Sequence, residues 1–139
     1  MRRFATILAA LATVLASLLI AAPAYAGSAH FVDDHLSVAR DGDSLTATGK
    51  IAGLGDEPQV HVVLTATAAC VNPGGNKPQA ANKQSLNAAG DFPIMNGKAY
   101  FDLTVTAMFQ PSCSPPMSVE FSDVTVTAAG ITVAVPGVF

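Results

Sequence analysis

The sequence predicts an all-β protein: a two-sheet immunoglobulin-like sandwich of about seven strands, with a partly open β-barrel as the alternative. Three observations carry this. From Gly27 onward Thr, Val and Ala dominate, and apolar residues alternate with polar ones, the period of a half-buried strand. Gly or Pro interrupts that alternation at short intervals, as tight turns require. No window holds a sustained helical period with caps.

The elements follow in order. His35–Arg40 and Ser44–Ile51 read as a hairpin about Asp41-Gly42-Asp43, with Leu36, Val38, Leu45, Ala47 and Ile51 facing the core. Gly53–Pro58 is a turn. Gln59–Ala69 is the third strand, with Val60, Val62, Leu64, Ala66 and Ala68 on one face and His61, Val63, Thr65 and Thr67 on the other, and Cys70 ends it. Val71–Gln84 is polar, without hydrophobic periodicity, and reads as the longest irregular stretch. A second hairpin is expected at Asn96-Gly97, led into by Phe92–Met95 and out of by Lys98–Phe109. Phe101, Leu103, Val105, Ala107 and Phe109 share one face of the outgoing strand. Gln110–Pro116 is a proline-rich loop. The last hairpin joins Ser118–Ala128 to Ile131–Val135 through Ala129-Gly130. Val119, Phe121, Val124 and Val126 share a face only if a bulge lies near Ser122-Asp123.

The N-terminus reads as an address. Arg2 and Arg3 precede an uncharged apolar run from Phe4 to Ala22, Pro23 breaks it, and Ala24-Tyr25-Ala26 is an A-x-A processing site. The expectation is a Sec-type signal peptide over residues 1–26, cleaved after Ala26, and a secreted domain over 27–139 with no membrane attachment thereafter. The poor surroundings of Arg2-Arg3 disfavour a twin-arginine signal, and no cysteine lies near the site to anchor a lipid. The 113 residues that remain suit one domain. They hold 5 basic residues (Arg40, Lys50, Lys77, Lys83, Lys98) and 10 acidic ones, a net charge of about −5. An acidic chain with scattered lysines lacks the electrostatic footprint for nucleic acid or anionic lipid.

Cys70 and Cys113 are the whole cysteine complement. An even count in an oxidising compartment makes an intrachain disulfide the expectation, worth about 3–4 kcal/mol for a loop of roughly 40 residues. Each follows a strand and opens a Pro-containing loop, so the bond would join the two long loops at one end of the sandwich. It would not be the buried inter-sheet bridge of antibody domains, and there is no Trp to pack on such a bridge.

The run Cys70-Val71-Asn72-Pro73-Gly74-Gly75-Asn76-Lys77-Pro78-Gln79-Ala80-Ala81-Asn82-Lys83, a second cysteine among prolines, and the closing Phe121-Ser122-Asp123-Val124-Thr125-Val126-Thr127 resemble small exported proteins common in actinobacteria. The resemblance implies origin and fold rather than an activity. Subtilisin-inhibitor-like secreted proteins share size and compartment but typically carry two disulfides and a helix, so that reading is not adopted.

Asn72, Gly74, Gly75, Asn76 and Asn82 make up the candidate binding loop. Its glycines permit unusual backbone angles and its amides can hydrogen-bond a partner. The competing role for these amides is to hold the loop's own backbone through Asx-turns. Asp33/Asp34 and Asp41/Asp43 are acidic pairs that could offer oxygens to calcium, but no twelve-residue Ca²⁺ loop spacing exists, and turn chemistry accounts for Asp41-Gly42-Asp43. His30 and His35 fall on opposite faces of an extended strand, and His61 lies on a polar face, so no metal site is expected. There is no G-x-S-x-G elbow and no H-E-x-x-H, and no catalytic residue or cofactor is assigned. The expected function is a secreted, non-enzymatic binding or envelope-associated module that meets a protein or cell-envelope glycan through the disulfide-linked loops. Its rivals are a secreted hydrolase with an unidentified site and a self-assembling envelope protein. A buried cleft of converging polar groups would favour the hydrolase, and an exposed apolar edge would favour assembly.

Overall fold

Eight strands form in the order β1 (His30–Phe31), β2 (Ser37–Asp41), β3 (Ser44–Ala52), β4 (Gln59–Val71), β5 (Lys83–Pro93), β6 (Ala99–Thr106), β7 (Ser118–Ala128) and β8 (Ile131–Val135). The computed structural model describes residues 27–74 and 82–139. The expected signal peptide, and Gly75 and Asn76 of the candidate loop, lie outside the described residues.

The strands make two antiparallel sheets of four that do not close, so the sandwich holds and the barrel alternative does not. In one sheet β3 is central, with β6 on one side and β1 and β2 end to end along the other. A single 3₁₀ turn, Asp33–His35, separates β1 from β2. The second sheet runs β5-β4-β7-β8. Counting β2 to β8 as seven strands, the first, second and fifth lie together and the third, fourth, sixth and seventh lie together. This is the immunoglobulin-like arrangement with the fourth strand carried by the sheet of the third.

Alternation sets the core, because successive side chains of a strand point to opposite faces. Leu45, Ala47 and Ile51 of β3 and Phe101, Leu103 and Val105 of β6 face Val60, Val62, Leu64, Ala66 and Ala68 of β4 and Val119, Phe121, Val124, Val126 and Ala128 of β7, all buried. In β3 the inward position Gly49 stands opposite Phe101, and a Cβ there would lie 2.5 Å from the Phe101 ring. The ring therefore occupies the place of the missing side chain, packed edge-on between Phe31 and Phe92 with centroids 6.2 and 6.3 Å away. Leu54, in a turn, is also fully buried. Its N–H donates to the Gly97 carbonyl at 3.0 Å, which pulls it under that end of the sandwich.

The bulge expected near Ser122-Asp123 is present. Thr65 pairs with Thr125 but Thr67 pairs with Ser122, so Asp123 and Val124 together face the single residue Ala66. Asp123 takes a left-handed φ of 51°, which turns Val124 back into the core. Past the bulge the C-terminal residue continues the ladder: Phe121 and Phe139 exchange both backbone hydrogen bonds at 3.0 Å.

Four sequence expectations need correction. Val71–Gln84 is not irregular throughout, since β4 runs through Val71 and β5 begins at Lys83. The sequence pattern does not predict the β5 strand. Its inward positions Leu86, Ala88, Gly90 and Phe92 alternate, but Ala, Gly, Asn and Asp are weak strand formers and mask the pattern. Asn96-Gly97 does make a tight turn, with φ of 52° and 70° and Met95 and Lys98 exchanging hydrogen bonds at 2.8 and 3.1 Å. It links no hairpin of one sheet, because β5 pairs with β4 and β6 with β3. At the first hairpin Asp41 pairs with Ser44, so the two turn residues are Gly42-Asp43, with the positive φ of 58° at Gly42, where a type II′ turn places glycine.

Candidate functional site

One end of the sandwich collects the longest connections. β4 ends there, β5 and β7 begin there, and β6 delivers the loop 107–117 to it. The Gly42-Asp43 turn lies at the same end, where the Asp43 carbonyl accepts the Ala107 N–H at 2.8 Å. Cys70 and Cys113 are joined as expected, with Cα atoms 5.7 Å apart. Cys70 sits within β4, opposite Val119 of β7, rather than after the strand, so the bond ties the 107–117 loop to the second sheet. The Arg40 guanidinium of β2 donates to the Val119 carbonyl and links the edge of the first sheet to the same spot.

A depression of about 210 Å³ lies beside the disulfide, lined by Cys70, Asn82, Phe109, Gln110, Pro111, Ser112 and Met117. Met117 Sδ rests 3.8 Å from Cys70 Sγ, a packing contact, since a bonded sulfur has no proton to donate. Asn82, Gln110 and Ser112 expose polar side chains around this floor, while Phe109 is half-buried. Next to it the Gln84 amide clamps the backbone of Met108. Its Oε1 accepts the Met108 N–H at 3.1 Å and its Nε2 donates to the Met108 carbonyl. A side-chain amide thereby stands in for a neighbouring strand, and the clamp leaves the Met108 side chain 77% exposed, lining a separate depression with Leu86 and Thr106.

The candidate residues divide accordingly. Asn72 and Gly74 are exposed on the connection that leaves β4, and Asn82 lines the depression where that connection returns. Gln84, Met108, Phe109, Gln110 and Met117 were not singled out from sequence. Gln84 was legible in principle: it shares the inward alternation of Leu86 and Ala88, and an inward amide at a strand's start needs a partner.

Asp33 and Asp34 occupy the 3₁₀ turn, and Asp41 and Asp43 lie on either side of Gly42 at the tip of the first hairpin. Among the described residues no three His, Cys, Asp or Glu side chains converge. His30 Nδ1 lies 2.8 Å from the Ser28 carbonyl, and His61 Nδ1 lies 2.7 Å from Asp91 Oδ1 across the β4–β5 pair, far from the loop end. Both partners of the latter are more than half exposed, at 60% and 52%. Among the described residues no polar or charged side chain is buried. The outer sheet faces are lined with hydroxyls that satisfy one another: Ser44–Thr106 at 2.8 Å, Thr46–Thr104 at 2.7 Å, Thr65–Thr125 at 2.6 Å and Thr127–Thr132 at 2.8 Å. No helix of the described residues is long and apolar enough to cross a membrane. The sequence matches no family model, and no curated protein or solved structure is significantly similar to it.

Proposed function

We propose that this is a secreted, non-enzymatic binding or envelope-associated module that engages a protein or cell-envelope glycan through its disulfide-tied loop end. The single observation that carries this reading is the depression beside Cys70–Cys113, where amide and hydroxyl groups surround an apolar floor. A disulfide fixes loops that would otherwise lose entropy on binding, so a partner meets a surface already ordered. Amides and hydroxyls offer both donors and acceptors, which suits peptide backbone and sugar hydroxyls alike, and Met117 adds an adaptable apolar contact within the depression. Among the described residues no polar side chain is buried in a cleft, which supports a binder over the hydrolase alternative. A site in the extracellular space agrees with a disulfide as the structural staple.

The test is capture. Wild-type protein and a variant with Asn72, Asn76 and Asn82 all changed to Ala are incubated with purified cell wall, with culture-medium proteins and with immobilised glycans. Retention of the wild type and loss by the variant, with thermal midpoints within a few degrees, supports the loop end as the site. A destabilised variant that still binds everything the wild type binds rejects it and leaves the asparagines as loop-holding groups.

A further inference from the structure

The four sheet edges are not equally protected. The β1/β2 edge is broken by the Asp33–His35 turn and carries Arg40 and Asp41. β5 carries Lys83 and Asp91, ends in Pro93 and is capped by the Gln84 clamp on Met108. β6 carries Asp102 and packs beside β5 where the sheets meet. β8 has no such device. Its sequence Ile-Thr-Val-Ala-Val holds no charge and no proline, and it packs principally on β7. An apolar, uncharged edge strand is a template for another strand.

The register says which strand fits. β7 and β8 are joined by the two-residue turn Ala129-Gly130, with φ of 50° and 77°. Such a hairpin closes on a hydrogen-bonded pair, here Ala128 with Ile131, and bonded pairs then recur at Val126–Val133 and Val124–Val135. The N–H and C=O groups of Thr132 and Ala134 therefore point away from β7. Two copies of β8 set antiparallel about Val133 place Thr132 of each opposite Ala134 of the other. That register uses all four outward groups of each strand in four hydrogen bonds. It also sets Ile131 against Val135 and Val133 against Val133 on the inner face, where these side chains are only half-buried in one copy. In a two-fold pair each strand meets its own residue types, and residues 131–135 carry no charge that a second copy would repel. Beside the end of β8 lies a further apolar patch formed by Val135, Pro136 and Val138, the last 67% exposed, available to the same mate.

We propose that the edge of β8, which no described strand covers, is a homodimer interface, joining two four-stranded sheets into one of eight through the antiparallel Thr132–Ala134 pairs. The test uses protein expressed from the full 139-residue chain, followed by sedimentation velocity over a concentration series and amide hydrogen exchange. The expected result is a concentration-dependent dimer, in which the Thr132 and Ala134 amides gain protection as the dimer fills. Ala134→Pro removes an outward N–H at an edge position that tolerates proline, and should leave a folded monomer. Residues 134 of the two copies are diagonal neighbours about 7–8 Å apart, within reach of long side chains. Ala134→Lys and Ala134→Glu should accordingly each be monomeric alone and dimerise when mixed. A wild type that stays monomeric up to about 1 mM, the weakest affinity of interest, overturns the proposal. So does a dimer that survives all three substitutions, or a monomeric wild type that captures only foreign extended peptides.

Discussion

Ala129 holds a φ of 50° in the last hairpin, a left-handed conformation that crowds an L side chain against its own backbone. The other tight turn with two positive φ values, Asn96-Gly97, uses the residue pair such turns favour. Asn tolerates this region because its short polar side chain can bond locally, whereas Ala has no compensation. Ala129→Asn should therefore stabilise the protein by about 0.5–1 kcal/mol. In urea the midpoint should rise with the slope unchanged, since the same surface is exposed on unfolding. A lower midpoint would mean that Ala129, half-buried against the core, contributes more by packing than it costs by strain. Asp123 is the contrasting residue: it too is left-handed, but its carboxylate accepts from the Ser122 hydroxyl at 3.3 Å, and its strain is what brings Val124 inward.

Among the elements, the loop 107–117 has the least secondary structure of its own and depends most on tertiary ties. Its start is held by the Asp43 carbonyl and the Gln84 amide, and its middle by Cys113. The bonded cysteines are 43 residues apart in the chain. Replacing both with Ala should cost about 3–4 kcal/mol, mainly by freeing the unfolded chain. Chemical denaturation of the double variant should show this loss, and non-reducing peptide mapping of the wild type should yield Cys70 and Cys113 in one linked pair. Two alkylatable thiols in the folded wild type would sink the assignment. The same substitutions should weaken capture at the loop end, because the depression is built on the bond.

At the scale of the molecule, the described residues carry their own core and staple. The proposal of a secreted module is tested by intact-mass analysis of culture supernatant, which should find a species beginning at Gly27. Full-length protein retained in the membrane would overturn both the processing and the location. The loop end and the β8 edge use different residues, so a dimer through β8 leaves the proposed binding surface of each copy open. Two linked copies would raise the avidity for a repetitive target such as a cell-envelope glycan.

The β class, the inward faces of β3, β4, β6 and β7, the last hairpin and the need for a bulge near Ser122-Asp123 were legible in the sequence. Each of these rests on period-two alternation or on a two-residue turn, which are local properties of the chain. The pairing of the cysteines was legible too, because two cysteines allow only a single intrachain bond. The existence of β5 emerges only in the folded chain, since Ser85–Asp91 has little strand propensity and is held by seven of the eleven residue pairings between β4 and β5. Which sheet each strand joins was likewise beyond the sequence: the Asn96-Gly97 turn looks the same whether its arms pair with each other or part to opposite sheets. The candidate site followed this divide. Asn72, Gly74 and Asn82 were legible as loop chemistry. Gln84, Met108 and Met117 took on their positions only when residues distant in the chain met around the disulfide, because their roles are set by neighbours that local sequence does not name.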